Sequence, residues 1–164
     1  MQRLTLRLGI LALALLPMVA AADPAPHLSR AARWLALDEF YAAIAEYDAA
    51  LRLAPNRSDI LADRALAQHR LGDVKGSRQT LGSAFAAAGL RDGAPFTARA
   101  GLALLSREDE SAAGDLTVAL RRTPEDQRAL ALQSLLVSRR GAGPPPAPRE
   151  MEALRYAFGP WLSE

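Results

Sequence analysis

The chain has 164 residues, half of them hydrophobic but only 5% aromatic, and it contains no cysteine. Its core must therefore be built largely from Ala and Leu, which lose little on entering a helix, and disulfides, thiolate nucleophiles, zinc–thiolate sites and cysteine-linked lipid are excluded. The formal charge of +2 overstates any basic character: without Arg3 and Arg7, which belong to an N-terminal leader, 18 basic residues face 18 acidic ones in an even mixture, leaving no electrostatic footprint for nucleic acid.

Met1 to Arg7 carries two positive charges and no negative one, and Leu8 to Ala22 is almost wholly apolar, with Pro17 near its end and Ala20-Ala21-Ala22 closing it. A basic start, a short apolar core and small residues at the end make the pattern of a secretory signal peptide cleaved ahead of Asp23. The rival readings are an uncleaved membrane anchor and a buried N-terminal helix; the run falls short of the roughly 20 residues a spanning helix needs. The expected destination is the periplasm, or secretion, with no transmembrane segment left after cleavage. The expected organisation is a signal peptide over 1–22, a repeat region over 23–140, a Pro/Gly-rich turn or linker over 141–148 and a C-terminal helix over 149–164.

Asp23-Pro24-Ala25-Pro26 reads as an extended leader. From Leu28 the pattern is helical, with Leu28, Ala31, Ala32, Leu35 and Ala36 on one face and Trp34 beside it as a further core residue. Asp38-Glu39 interrupts the run, and Phe40 opens a second helix whose apolar positions Ala43, Ile44, Tyr47, Ala50 and Leu51 have the spacing of a buried face. Pro55 ends it.

The unit then recurs. Ala43, Ser77 and Ala112 are 34 and then 35 residues apart, and the same offsets connect Tyr47, Leu81 and Leu116, Ala50, Ala84 and Ala119, and Leu51, Phe85 and Leu120. In the first helices Ala31, Ala65, Ala100 and Ser134 keep step, Gly72-Asp73 aligns with Asp38-Glu39, and Pro55, Gly89 and Pro124 share a column. A period of this size marks a helical repeat in which no unit buries its apolar face alone. Small residues belong where helices approach closely, since a bulky one there costs about 1–3 kcal/mol in overpacking.

A fourth unit departs from the pattern. Thr123-Pro124-Glu125-Asp126 predicts a helix start with a capping hydroxyl and proline at the first helical position, and Gly141 predicts the stop near Arg140. Gly141 to Pro148 cannot be helical. Glu150 to Phe158 is helical again, with Leu154, Ala157 and Phe158 continuing the Leu116, Ala119 and Leu120 columns at an offset of 38. This reads as the missing second helix of the fourth unit, displaced by a longer turn; the alternative is a linker to a separate capping helix or partner-binding tail.

With Ala31, Trp34, Asp38-Glu39, Ala43, Tyr47, Ala50 and Pro55 in the first unit, and the degenerate matches in the next two, the chain resembles the tetratricopeptide repeat family, as an exported bacterial member. The resemblance covers roughly Leu28 to Arg140. It implies an all-α, right-handed α-solenoid of three to four helix-turn-helix repeats, with the first helix of each repeat lining a concave ligand face. Transferring those columns gives Leu28, Ala32 and Leu35, then Asp59, Ala62, Asp63, Leu66, His69 and Arg70, then Thr97, Gly101 and Leu104, then Arg128, Ala131, Leu135 and Arg139. A protein-binding groove of Asp63, Leu66, His69, Arg70, Leu104, Arg128, Leu135 and Arg139 is expected, apolar in character, with Arg70, Arg128 and Arg139 available for carboxylate or phosphate contacts. The Lys/Asn clamp by which some family members grip a peptide carboxylate has no counterpart in these columns. The competing reading fills part of this face with the N-terminal leader or the C-terminal helix.

Catalysis finds little support in the residues. His69 and Asp73 stand at i, i+4, which could orient an imidazole, but Asp73 is a turn residue and His69 falls on a helix surface. No spacing of metal ligands and no Gly-rich phosphate loop is present, so no metal and no cofactor are expected; Glu108-Asp109-Glu110 reads as a solvated turn. The expected function is that of a non-enzymatic periplasmic scaffold or adaptor for a protein or peptide partner in the cell envelope. The alternatives are a self-associating (homo-oligomeric) subunit of an envelope assembly and a small hydrolase using His69.

Overall fold

Ala and Leu at helical spacing form eight helices: α1 (Ala25–Ala36), α2 (Phe40–Leu53), α3 (Ser58–Leu71), α4 (Val74–Ala87), α5 (Ala94–Leu105), α6 (Asp109–Arg122), α7 (Gln127–Arg139) and α8 (Pro148–Phe158). The computed structural model describes residues 23–158; the expected signal peptide, residues 1–22, and residues 159–164 lie outside them. Among the described residues there is no strand, and no helix is long and apolar enough to cross a membrane. The fold is all-α and repeat-like.

The helices pack as pairs, α1 with α2, α3 with α4 and α5 with α6, and each pair meets the next through an odd-numbered helix. Helix α3 also packs on α5, and α5 on α7, whereas no comparable contact joins α2 to α4 or α4 to α6. Helices α3, α5 and α7 therefore form an inner layer and α2, α4 and α6 an outer one; α1 packs on α2 and reaches α8.

The corner inside each unit is the most regular feature. Asp38, Gly72, Arg107 and Gly141, spaced 34, 35 and 34 residues apart, all have positive φ, between 58° and 93°. Each time the following amide donates five residues back, Glu39 to Trp34, Asp73 to Gln68, Glu108 to Ala103 and Ala142 to Val137, at 2.9–3.0 Å. These are Schellman ends, which satisfy the last helical carbonyls at the cost of one left-handed residue. Gly occupies that position twice; Arg107 holds it at a strain of about 1–2 kcal/mol.

The small columns close the layers. Ala31, Ala65 and Ala100, then Ala43, Ser77 and Ala112, then Ala50, Ala84 and Ala119 are all buried to within 1% of full burial. Ser77 is tolerated there because its hydroxyl donates to the Ala65 carbonyl at 2.7 Å. Ser134, the fourth member of the first column, is half-buried instead. The core falls into two clusters: one around Ala31, Leu35, Ala43, Tyr47, Ala50, Ile60 and Ala67, and a larger one running from Ala62 to Phe158.

A polar column, not read from the sequence, braces the units. Arg30, Arg64 and Arg99 repeat at 34 and 35 residues, and each reaches the residue 16 positions on: Glu46 at 2.9 Å, Thr80 at 2.7 Å and Asp115 at 2.6 Å. In the second unit, where the partner is a threonine, Arg64 also takes Asp48 of the preceding unit at 2.7 Å. Arg30, and then His27, hold the Glu46 carboxyl below its ordinary value.

Several local expectations need correction. Asp23 to Pro26 is not an extended leader: α1 already starts at Ala25, because Pro26 fits the first helical turn, where its missing amide costs nothing. Trp34 is not core; it is exposed, because the α1 face that is buried runs through Ala31 and Leu35. Helix α7 begins at Gln127 with Asp126 as its cap, accepting from the Arg128 and Ala129 amides. Thr123 is not that cap: its hydroxyl accepts from the Gly93 amide at 3.1 Å and so ties α6 to the start of α5.

Helices α2, α4 and α6 start two residues after the left-handed residue of their unit. After Gly141 this is impossible, since Pro144-Pro145-Pro146 bias the residues before them away from the helical region, and α8 starts only at Pro148. Pro146 is buried. Helix α8 packs on α7 yet does not lie where a following outer helix would: it runs back over α3 and α1. Leu154, Ala157 and Phe158 are buried, against the inner face.

Candidate functional site

Of the expected groove residues, Asp63, Leu66 and Arg128 line one cleft with Leu35, Tyr47 and, from α8, Ala157, and His69 and Arg70 line another with Leu105 and Phe158. Leu66, Leu104 and Leu135 are buried. Leu66 and Leu135 belong to a column, Ala32, Leu66, Gly101 and Leu135, in which the third member has no side chain. A Cβ placed on Gly101 would stand 1.9 Å from Cε1 and 2.3 Å from Cζ of Phe158. The ring of the last described residue of α8 thus occupies the space that a leucine fills in the units on either side.

The three arginines are engaged within the chain, so the expectation that they stand available for an anionic ligand is corrected. Arg128 pairs with Asp63, joining α7 to α3 across the middle of the inner face, each side chain about a third exposed (32% and 31%). The Asp63 charge raises the affinity of this guanidinium for its proton above the ordinary value, against the opposing effect of burial. Arg70 donates to Asp38 at 2.5 Å, tying α3 to the left-handed corner of the first unit, and its guanidinium carbon lies 4.5 Å from the Phe40 ring centroid. Arg139 donates to the Leu104 carbonyl at 2.9 Å. It stands 3.8 Å from Asp109 Oδ1, a buried oxygen without a hydrogen-bond partner.

Two cavities remain beside α8. One, of about 260 Å³, is lined by Leu35, Tyr47, Asp63, Leu66, Arg128 and Ala157. The other, of about 280 Å³, is lined by His69, Arg70, Leu105 and Phe158.

A larger cleft, of about 550 Å³, opens where α4 and α6 splay apart. His69, Leu81, Leu102 and Ala103 line it together with Arg78, Arg99, Glu108 and Asp115. Arg99 holds Asp115 through two hydrogen bonds of 2.7 and 2.6 Å and lies 4.5 Å from the Phe85 ring centroid. Of the eight expected groove residues only His69 reaches this cleft. The signal that could have located Arg99 and Asp115 is their place in the Arg30, Arg64, Arg99 and Glu46, Thr80, Asp115 columns.

His69 and Asp73 do not form a dyad. Asp73 caps α4, accepting from the Gly76 amide at 2.8 Å and from the Gln68 side-chain amide at 3.2 Å. Burial, and then the charge of Arg78, lower the His69 pKa from its ordinary 6.5. The unfolded chain therefore takes up this proton at a higher pH than the folded one. Stability is expected to decline as pH falls below about 6.5, and His69→Gln should flatten that limb in urea titrations between pH 7 and 5. An identical slope in both proteins would contradict this environment for His69.

Among the described residues no group of three or more His, Asp or Glu side chains is placed to hold a metal ion. Comparison with protein-family models, with curated proteins and with solved structures finds no match to this chain.

Proposed function

We propose that the protein is an exported, non-enzymatic adaptor of the tetratricopeptide-repeat type, a right-handed solenoid of four units of which the last is modified. It receives a protein partner of the cell envelope on the inner face of its odd-numbered helices. Export rests on the basic and apolar pattern of residues 1–22. The repeat assignment is supported by the fourfold recurrence of the left-handed corner and by the three buried small-residue columns. The observation that carries the binding reading is that this face already accepts an amphipathic helix, α8, which is the helix-in-groove mode of recognition.

The test is capture from envelope extract by immobilised protein at near-physiological salt, with eluates resolved by mass. Recovery of a stoichiometric protein partner, retained by His69→Ala to within about twofold, is the expected result. Recovery of none would overturn the adaptor reading, and loss of an activity in His69→Ala would replace it with an enzymatic one.

A further inference from the structure

The fit of α8 to its seat is uneven. Its anchor is specific: Leu154, Ala157 and Phe158, at i, i+3 and i+4, make one buried face, and Phe158 enters a hole that exists because residue 101 is glycine. Its flanks are not. Ala157 borders a half-open cleft lined by Leu35, Tyr47, Asp63, Leu66 and Arg128. A larger apolar residue than alanine at that position would cover more of the cleft, so α8 does not use all of the contact the face offers. The connection to α7 points the same way. Pro144-Pro145-Pro146 bar a continuous helix from α7 into α8, so α8 can leave the face without unwinding α7.

We propose that α8 is a resident stand-in for a partner's helix. The partner segment is amphipathic, repeats the spacing of Leu154, Ala157 and Phe158 with an aromatic residue for the Gly101 hole, and carries a larger apolar residue where α8 has Ala157. This rests on the adaptor reading above and names the chemistry of its partner. The partner displaces α8 by covering more of the cleft beside Ala157, and the resident helix sets a threshold, because any competitor binds only the fraction of molecules in which the face is open.

The probe is a labelled synthetic helix with the sequence of residues 148–158, and a second in which the alanine equivalent to Ala157 is leucine, each titrated by fluorescence anisotropy into the full chain. Binding to Phe158→Ala is expected to be at least about tenfold tighter than to the wild type, the leucine peptide to bind more tightly than the parent, and Gly101→Ala to bind neither. Equal affinity for wild type and Phe158→Ala, or undiminished binding to Gly101→Ala, would overturn the proposal.

Should Phe158→Ala lose cooperative melting, hydrogen exchange on the wild type decides. Excess peptide must accelerate exchange of the α8 amides while leaving those of α7 unchanged, and unaltered α8 protection would sink the idea. A wild-type chain that proves dimeric by light scattering, with α8 seated on a second copy, would also overturn the partner-helix reading. A partner recovered from extract whose binding is the same in wild type and Phe158→Ala would leave the adaptor reading standing and remove this one.

Discussion

Replacing Ala43 with Trp is expected to lower the thermal midpoint by roughly 10 °C and to split the unfolding transition. Ala43 has no accessible surface and sits at a helix crossing in the smaller, N-terminal core cluster with Ala31, Tyr47, Ala50 and Ile60. An indole cannot be accommodated there by a rotamer change, because Ala43 is fully buried among side chains that are themselves buried. The cost lies at the upper end of the overpacking range, about 3 kcal/mol. The larger cluster does not contain Ala43, and in a repeat architecture each unit is stabilised chiefly by its nearest neighbour. The first helix pair should therefore melt before the rest. Circular dichroism at 222 nm would record a low-temperature step, and an unchanged midpoint would contradict the helix-pair stacking described above.

Gly101→Ala is expected to detach α8 while leaving α1 to α7 folded. The added methyl would overlap one edge of the Phe158 ring, so the ring must shift, and its full departure would lose the burial of a large aromatic side chain, about 1.5–3 kcal/mol. Trypsin reports this directly: cleavage after Arg149 and Arg155, both exposed on α8, should accelerate by an order of magnitude or more, in line with that free energy. A control separates this clash from any general effect of substituting a helical glycine. Gly114 lies in α6, and nothing stands within 4 Å of where its Cβ would be, so Gly114→Ala should stabilise by roughly 0.5–1 kcal/mol. If Gly101→Ala behaves like Gly114→Ala in both melting and proteolysis, Phe158 does not depend on the Gly101 hole.

Much of the architecture was legible because it rests on short-range constraints repeated several times. The Asp38-Glu39 and Gly72-Asp73 corners are local: a left-handed residue and an amide five positions along from its acceptor involve no distant partner. The small columns were readable because close helix crossings forbid bulk at the same register in every unit. The polar column of Arg30, Arg64 and Arg99 obeys the same period and escaped notice because its partners differ, Glu46, Thr80 and Asp115, so no single residue type repeats on the partner side. Trp34 was misplaced because an aromatic beside an apolar stripe satisfies the pattern whether or not a neighbour covers it.

The candidate site was legible as a set of positions and not as a state. Column transfer groups Asp63, Leu66 and Arg128, which line one cleft with Ala157, and Leu104 and Leu135, which are buried. It could not foresee that Asp63 and Arg128, 65 residues apart, would neutralise one another, or that Arg70 and Arg139 would find partners inside the chain. By itself the amino-acid sequence determined the helices, their pairing period, their corners and the surfaces that must be small, since each follows from backbone sterics and the apolar repeat within a few turns of helix. Only the tertiary structure decided where α8 lies. Its buried face would suit an outer position behind α7 or the inner face alike. Prolines that bar an immediate second helix, together with a glycine-made hole 57 residues upstream of Phe158, select the inner one.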